Sequence, residues 1–395
     1  MNIAVIGGGI AGLAAGWLLS RQHTVTLFER QAQPGFTASS VAVDGVRVDV
    51  PPRVFYPGYY PTLMRLYAAL GVATEPVSYA TTFTGGDGRA FFRWRNLRLG
   101  GLSVPYVLPQ DVRQRRARHI VRGALRFNRE ARSALARGEL QGRSIGEFVD
   151  AQALPEDYVQ GLLLPALATI ATCTTQDARG YPADVVAGYL ASGLARQSVR
   201  RAVLGADDAA ARLLAGIARV VCSAGVVGVR QAGSQVQVLR EGGTAESFDH
   251  VVLATQANQA LALWQDAGAA EAHALAGFRY RPLAVVMHRD AALMPPRRAD
   301  WSPVNARVCD THDRPESTIW VNAVQPALRR AAPLFQTVQP HRAPRDDLVI
   351  SRAHFERPLV DAQSQRALAS LQALHKEPGR SIRKACCRKL SRGRR

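Results

Sequence analysis

The apolar pattern changes period twice within the first thirty residues. Asn2 to Ile6 is a short apolar run of buried-strand type, Leu13 to Arg21 has helical composition without proline, and Thr24-Val25-Thr26-Leu27-Phe28 is a second strand. Between the first strand and the helix stands Gly7-Gly8-Gly9-Ile10-Ala11-Gly12, which reads GxGxxG, and the second strand ends on Glu29. The stretch is therefore a complete βαβ opening. Much later, Val226 to Val229, Gln235 to Leu239 and Phe248 to Thr255 predict a meander closing on a buried strand, with Gly242-Gly243 as a turn. Residues 56–204 are largely helical in pattern, with Tyr59-Tyr60-Pro61 opening one helix and Pro155 near another. Leu283 to His288 and Ser317 to Val321 are strand-like, and Gln363 to Leu374 is helix-like.

Each glycine of the first turn has a physical task in dinucleotide binding. Gly7 permits the tight turn, Gly9 lets the backbone approach a pyrophosphate, and Gly12 lets helix and strand pack closely. The helix N-terminus offers free N–H groups and partial positive charge to phosphate. Glu29 can accept hydrogen bonds from both ribose hydroxyls, and its charge disfavours a 2′-phosphate, hence NADP. A lone GxGxxG can be a purely structural turn. The strand before it, the helix after it and the acid at the right distance favour the dinucleotide reading.

Taken in order, Gly7 to Gly12, Glu29-Arg30, Tyr181-Pro182-Ala183, Phe248 to Thr255, Phe278 to Pro282, and Met294-Pro295 with Trp301 resemble the flavin-containing amine oxidase superfamily, within it the bacterial FAD-dependent branch. The meander resembles that of glutathione-reductase-type FAD domains. The resemblance implies an α/β fold with a Rossmann-like FAD-binding domain and a discontinuous mixed α+β substrate domain. The cofactor domain would take residues 1–55, 205–265 and 350–375, and the substrate domain 56–204 and 266–349. The cofactor implied is FAD, contacted by Gly7, Gly8, Gly9, Ile10, Ala11, Gly12, Glu29 and Arg30, with the Val226 backbone at the adenine and Ala254 near the pyrophosphate. Two places depart from the pattern: Gln33-Pro34-Gly35-Phe36 supplies a single glycine, and Val50-Pro51-Pro52-Arg53 stands where a glycine usually follows Asp49. Arg53 reads either as a flavin or pyrophosphate contact or as a surface arginine beside a rigid proline turn.

Composition sharpens this picture. At 395 residues, with 47% hydrophobic and 21% charged, the chain is globular and has length for more than one domain. No run of about 18 uncharged apolar residues offers a membrane span. The net charge is +19, and all lysines (Lys376, Lys384 and Lys389) fall in the last twenty residues with six arginines and one acid, Glu377. Residues 376–395 are thus expected to be a basic, disordered tail, or the product of a changed frame or truncation that removes a Gly-rich cofactor segment. Many amine oxidases of the superfamily hold a water at flavin N5 with a lysine, and none precedes residue 376. Schiff-base chemistry in the body is excluded on the same ground. Oxidation, desaturation or isomerisation of an apolar, lipid-like or amine small molecule is the expected activity, with electrons passing to oxygen or another external acceptor. A non-catalytic flavoprotein-fold module is the alternative, and an NAD-dependent dehydrogenase a third reading.

The remaining chemistry is sparse. Cys173, Cys222, Cys309, Cys386 and Cys387 show no CxxC and no metal spacing, so no metal is expected and the thiols read as reduced in a cytoplasmic protein without an export signal. Arg113, Arg115, Arg116, Arg118, Arg122, Arg126, Arg129 and Arg132, interleaved with Ile120, Val121, Leu125 and Phe127, form either a solvated helix face or an amphipathic helix resting on an anionic membrane. No specific nucleic-acid motif is present. His288 and Asp290 share one strand face, as a general-base pair or as a satisfied core histidine. Tyr181 and Trp320 could line the pocket, and Cys173 reads as a small core residue.

Overall fold

The computed structural model describes residues 1–35, 40–99, 102–191, 198–309, 311–374 and 382–384. Its first layer is a five-stranded parallel sheet in the order Arg219–Val221, Thr24–Phe28, Asn2–Ile6, His250–Leu253, Ile382–Lys384. Strands covered on both faces must be apolar on both, and Ile3 to Ile6 are buried without exception. Alternate residues then serve opposite layers. Val5 packs with Leu13, Val25, Leu27 and Leu213 under the helices Ile10–Leu19 and Gly205–Leu214. Ala4 and Ile6 pack with Val229, Val236, Val238 and Phe248 beneath the three-stranded antiparallel meander.

The meander runs Val226–Ala232, Gln235–Arg240 and Ala245–Phe248. Gly242 and Gly243 turn it at φ +82° and +81°, in the left-handed region that suits glycine. The run Phe248 to Thr255 is two strands and not one. Phe248 ends the meander and His250–Leu253 enters the parallel sheet, with the Asp249 carboxylate between them accepting the Asn2 N–H at 2.8 Å.

The second layer is an eight-stranded sheet in the order Val349–Pro358, Tyr280–His288, Phe335–Val338, Glu316–Trp320, Val304–Arg307, Thr81–Thr84, Ala90–Leu99, Leu102–Tyr106. Helices cover one side of it, the longest being Arg115–Arg137, which buries Ala117, Ile120, Phe127 and Ala131 against Phe148, Tyr158 and Leu164. Residues 56–204 are accordingly less helical than their pattern predicts, because Thr74–Val77, Thr81–Thr84, Ala90–Leu99, Leu102–Tyr106 and Val199–Ala202 are strands. Thr81 to Thr84 are buried on both faces and so show no alternation.

Two expected boundaries also move. Residues 350–358 pair with Tyr280–His288 in the large sheet, so they belong with the substrate domain. Only the following helix, Ala362–Leu374, returns to the cofactor layer, where Leu371 is buried. Within the tail, Ile382–Lys384 is a strand beside His250–Leu253, which corrects the expectation of disorder there; the rest of 376–395 lies outside the described residues. Among the described residues no helix is long and apolar enough to cross a membrane.

Candidate cofactor and substrate site

The parallel sheet reverses direction of growth between Asn2–Ile6 and His250–Leu253. The crevice beyond the carboxyl ends of such a strand pair is where ligands bind in open α/β sheets. Gly7 and Ala254 occupy those two ends. The Ala254 N–H donates to the Ile6 carbonyl at 2.8 Å, and a Cβ on Gly7 would stand 3.1 Å from the Ala254 oxygen. Gly7 has φ +103°, and its N–H donates to the Phe28 carbonyl at 2.8 Å. A Cβ on Gly12 would lie 1.9 Å from the Gly7 oxygen, so helix and strand approach as closely as backbone allows.

Gly9 differs from its neighbours. It is the N-cap of Ile10–Leu19, no side chain caps that helix, and a Cβ placed on Gly9 would meet nothing within 4 Å. The N–H groups of the first turn, Ile10 and Ala11 included, thus have no side-chain cap and carry the positive end of the helix. The carboxylate of Glu29 borders the glycine turn. Its Oε2 accepts the Gly8 N–H at 2.7 Å and its Oε1 the Gln31 N–H at 2.8 Å, which leaves further lone pairs on a side chain already fixed in place. Arg30 follows it, exposed to solvent.

Val226 is brought to this side by the chain just before it. Ala224 N–H donates to the Glu29 carbonyl at 3.0 Å and Ser223 N–H to that of Gln31 at 2.9 Å, so the start of the meander folds over the end of the second strand. Gly7 to Gly12, Glu29, Val226 and Ala254 thus converge on one crevice from three distant parts of the chain.

Arg53 lies elsewhere, at the junction of the two layers. It lines a small cavity with Asp49, Arg201, Val321 and Gln325. Burial pulls its guanidinium below the usual arginine range, and Asp49 opposes that shift; burial likewise raises the Asp49 carboxyl, against the Ala206 N–H it accepts at 3.2 Å. Arg53 also senses the charge of Arg357.

Arg357 and a group of tyrosines form a cluster that sequence pattern did not single out as a site. Along the strand Val349–Pro358, exposure alternates, and Arg357 falls on the inward side with Ala353 and Phe355. Its Nε donates to Thr172 Oγ1 at 3.0 Å, and among the described residues it has no carboxylate partner. Tyr59 packs edge-on against Tyr60 and Tyr189, each at 4.9 Å between ring centroids, and Tyr56 against Tyr189 at 5.9 Å. Burial holds Tyr56, Tyr59, Tyr60, Tyr181 and Tyr189 above the ordinary phenol range, with Arg357 opposing the shift at Tyr60 and Tyr181. The Cys173 thiol is pushed up to about 12 by burial, which makes it a core group rather than a nucleophile. The arrangement sets the Arg357 cation beside a group of neutral phenols.

His288 and Asp290 are not a general-base pair. His288 is fully buried, its Nε2 paired with Thr337 Oγ1 at 2.8 Å and its Nδ1 accepting the Asp290 N–H at 3.1 Å. Asp290 accepts from Ala292 and Arg345 N–H groups. Burial drives His288 down to about 4, so it is neutral in the sheet core. Trp320 packs at 5.6 Å from Trp301, under Arg298.

The comparisons agree with this architecture. The family model described as NAD(P)-binding Rossmann-like domain matches residues 5–70. A comparison with curated proteins finds no match. Among solved structures, a CLA-producing fatty acid isomerase from P. acnes is similar at TM-score 0.67 and 15% identity, over 97% of this chain and 92% of that one. Putrescine oxidase bound to putrescine gives TM-score 0.66 at 13% identity, covering 97% and 93%. Cyclohexylamine oxidase from Brevibacterium oxydans gives 0.65 at 13%, covering 97% and 92%. The two-layer fold, a parallel dinucleotide-binding sheet joined to a large mixed sheet with a helical cover, is shared with these three structures over nearly the whole chain.

Proposed function

We propose that this protein is an FAD-dependent oxidoreductase acting on an apolar small molecule. The observation that carries the reading is the uncapped helix start at Gly9, open where a Cβ would be, with the fixed Glu29 carboxylate beside it. Those features suit a pyrophosphate and a ribose. The meander at Val226 supports FAD over NAD, since a nicotinamide dehydrogenase has no need of it. FAD, when bound, supplies a hydride acceptor.

The chain's own residues do the rest. First-turn N–H groups would hold the pyrophosphate, Glu29 the ribose hydroxyls, the Val226 backbone the adenine, and Ala254 would bound the pyrophosphate side. Facing the junction, the tyrosines and the Cys173 thiol remain protonated at neutral pH. They offer packing and hydrogen-bond donors, and Arg357 an inward charge, while none abstracts a proton. Such a group orients a substrate and excludes water, which is what hydride transfer asks of a protein. The similar structures include a fatty acid isomerase as well as amine oxidases, which fits C–H chemistry on an apolar substrate. Electrons would pass to oxygen or another external acceptor.

An absorption spectrum of the purified chain, taken before and after incubation with FAD, tests the reading. Flavin bands near stoichiometric with protein are expected, bleached under anaerobic conditions by a substrate. A folded chain that binds no FAD would overturn it.

A further inference from the structure

We propose that the paired strand segments 95–99 and 102–106, a two-stranded ribbon, and the arginine face of the helix Arg115–Arg137 together dock this protein on an anionic lipid surface. The inference builds on the reading of an apolar substrate, to which it adds a source, a bilayer. The ribbon is the outer end of the large sheet. The strand Ala90–Leu99 pairs with Thr81–Thr84 only as far as Trp94, and beyond it the chain pairs solely with Leu102–Tyr106. Leu97 lies opposite Val104, and Arg95 opposite Tyr106, so these four share one face, on which the Arg95 guanidinium is engaged by Ser302 Oγ. Leu97, Val104 and Tyr106 are 49%, 41% and 41% exposed. A two-stranded ribbon is marginally stable by itself, and an apolar face left open on one needs something to cover it.

The helix beside it supplies the charge that chooses the cover. The strand Ala90–Leu99 is tied to the helix by the Arg116 guanidinium stacked 3.7 Å above the Phe91 ring, and to the short helix Pro109–Val112 just before it by Arg93, paired with Asp111 at 2.6 Å. On the side of the helix away from Ala117, Ile120 and Phe127 stand Arg115, Arg118, Arg122, Arg126 and Arg129, all exposed. Arg118/Arg122 and Arg122/Arg126 are like charges at i,i+4, which repel. The first turn carries no acid, so Arg115 and Arg118 also stand at the positive end of the helix. Of these five, among the described residues only Arg129 reaches a carboxylate, that of Glu130 at 2.9 Å. Leu125 sits in their midst, 68% exposed.

Repelling cations that surround an exposed leucine, next to an open aliphatic face, match an interface of anionic headgroups over acyl chains. A nucleic acid would meet the charge but find only Tyr106 to stack on, and it would gain nothing from Leu97, Val104 and Leu125. A second copy of this chain would bring the same arginines against one another.

The test is sedimentation of the full chain with vesicles of phosphatidylcholine alone and of phosphatidylcholine mixed with phosphatidylglycerol. Binding only to the mixed vesicles is expected. Arg118→Gln, Arg122→Gln and Arg126→Gln combined should lower the partition coefficient by about a hundredfold, roughly fivefold per arginine. Leu97→Ser with Val104→Ser should lower it by about tenfold and do so at high salt as well. The basic C-terminal residues are the same in every variant and cannot produce these differences. All five positions are exposed, and circular dichroism checks that the variants fold. No binding to mixed vesicles, or binding indifferent to both sets of changes, overturns the proposal. So does tighter retention of the chain by single-stranded RNA than by vesicles, or a dimer abolished by the ribbon changes. Partition needs no turnover and flavin content is read separately, so a colourless chain that still binds vesicles would sink the cofactor reading and leave the docking surface standing.

Discussion

The glycine turn and the tyrosine cluster are built by opposite means. At Gly7 to Gly12 the working groups are main-chain N–H bonds, and side chains are kept away so that backbone can meet backbone or ligand. At the junction with the large sheet the working groups are side chains: Tyr56, Tyr59, Tyr60, Tyr181 and Tyr189, with Arg357 beside them. The first region has little freedom to vary, because every added atom has a backbone neighbour or a pyrophosphate to displace. The second can change its shape and polarity one side chain at a time. Recognition of a constant cofactor belongs to the first kind of surface and choice of substrate to the second.

Substitutions can break that contrast. Gly12→Ala should have the largest effect, since its Cβ would stand 1.9 Å from the Gly7 oxygen. A loss of at least about 3 kcal/mol in urea unfolding is expected, together with loss of flavin. Gly9→Val should separate the two properties. Its side chain enters open space, so stability should stay within about 1 kcal/mol of the parent while flavin retained through gel filtration falls to background. A variant as yellow as the parent would show that the pyrophosphate does not lie there. Glu29→Ala should weaken FAD binding by about 1–3 kcal/mol, read by fluorescence titration, since it removes the ribose acceptor and the anchor of the Gly8 N–H.

The large sheet should respond to acid. His288 is neutral when folded, with its value lowered from 6.5 to about 4, so between those values the unfolded chain binds a proton that the native chain does not. Its contribution to stability is complete above about pH 6.5 and is lost as pH falls towards about 4. His288→Phe should flatten that part of the urea midpoint against pH. Arg357→Met should have the smallest effect on the fold, within about 0.5 kcal/mol, because no carboxylate is left behind. Its effect should appear in KM for substrates that carry an acceptor or a negative charge. A large loss of stability would make Arg357 a structural residue instead.

How much of this was legible beforehand follows the range of the interactions. The opening βαβ unit could be read because strand, turn, helix and Glu29 lie within thirty residues and each leaves a local signal. The meander was readable from its glycine turn and short strands. Val349–Pro358 was placed in the wrong domain because nothing in it names its partner, Tyr280–His288, some seventy residues away. The large sheet hid for a different reason. Its core includes Thr82, Ser302, Thr318, Thr337 and His288, whose hydroxyl and imidazole groups satisfy one another, as in the 2.8 Å contact between Thr318 and Thr337. A polar core that is internally hydrogen-bonded looks, as a string of letters, like surface. The tyrosine and Arg357 cluster is assembled from segments near residues 56, 181 and 357, and only the fold brings those together.

The order of strands in the parallel sheet bears on how the protein is made. Asn2–Ile6, the central strand, gains one neighbour at Thr24–Phe28 almost at once but its other neighbour only at His250–Leu253. At about 5–20 residues per second, a ribosome needs on the order of ten seconds or more to deliver that second partner. Throughout that interval one edge of an apolar parallel strand is uncovered in the nascent chain. Production of this protein should therefore depend on whatever shields that edge while the chain grows, and slower or chaperone-rich expression should raise the soluble yield more than any change at the crevice itself.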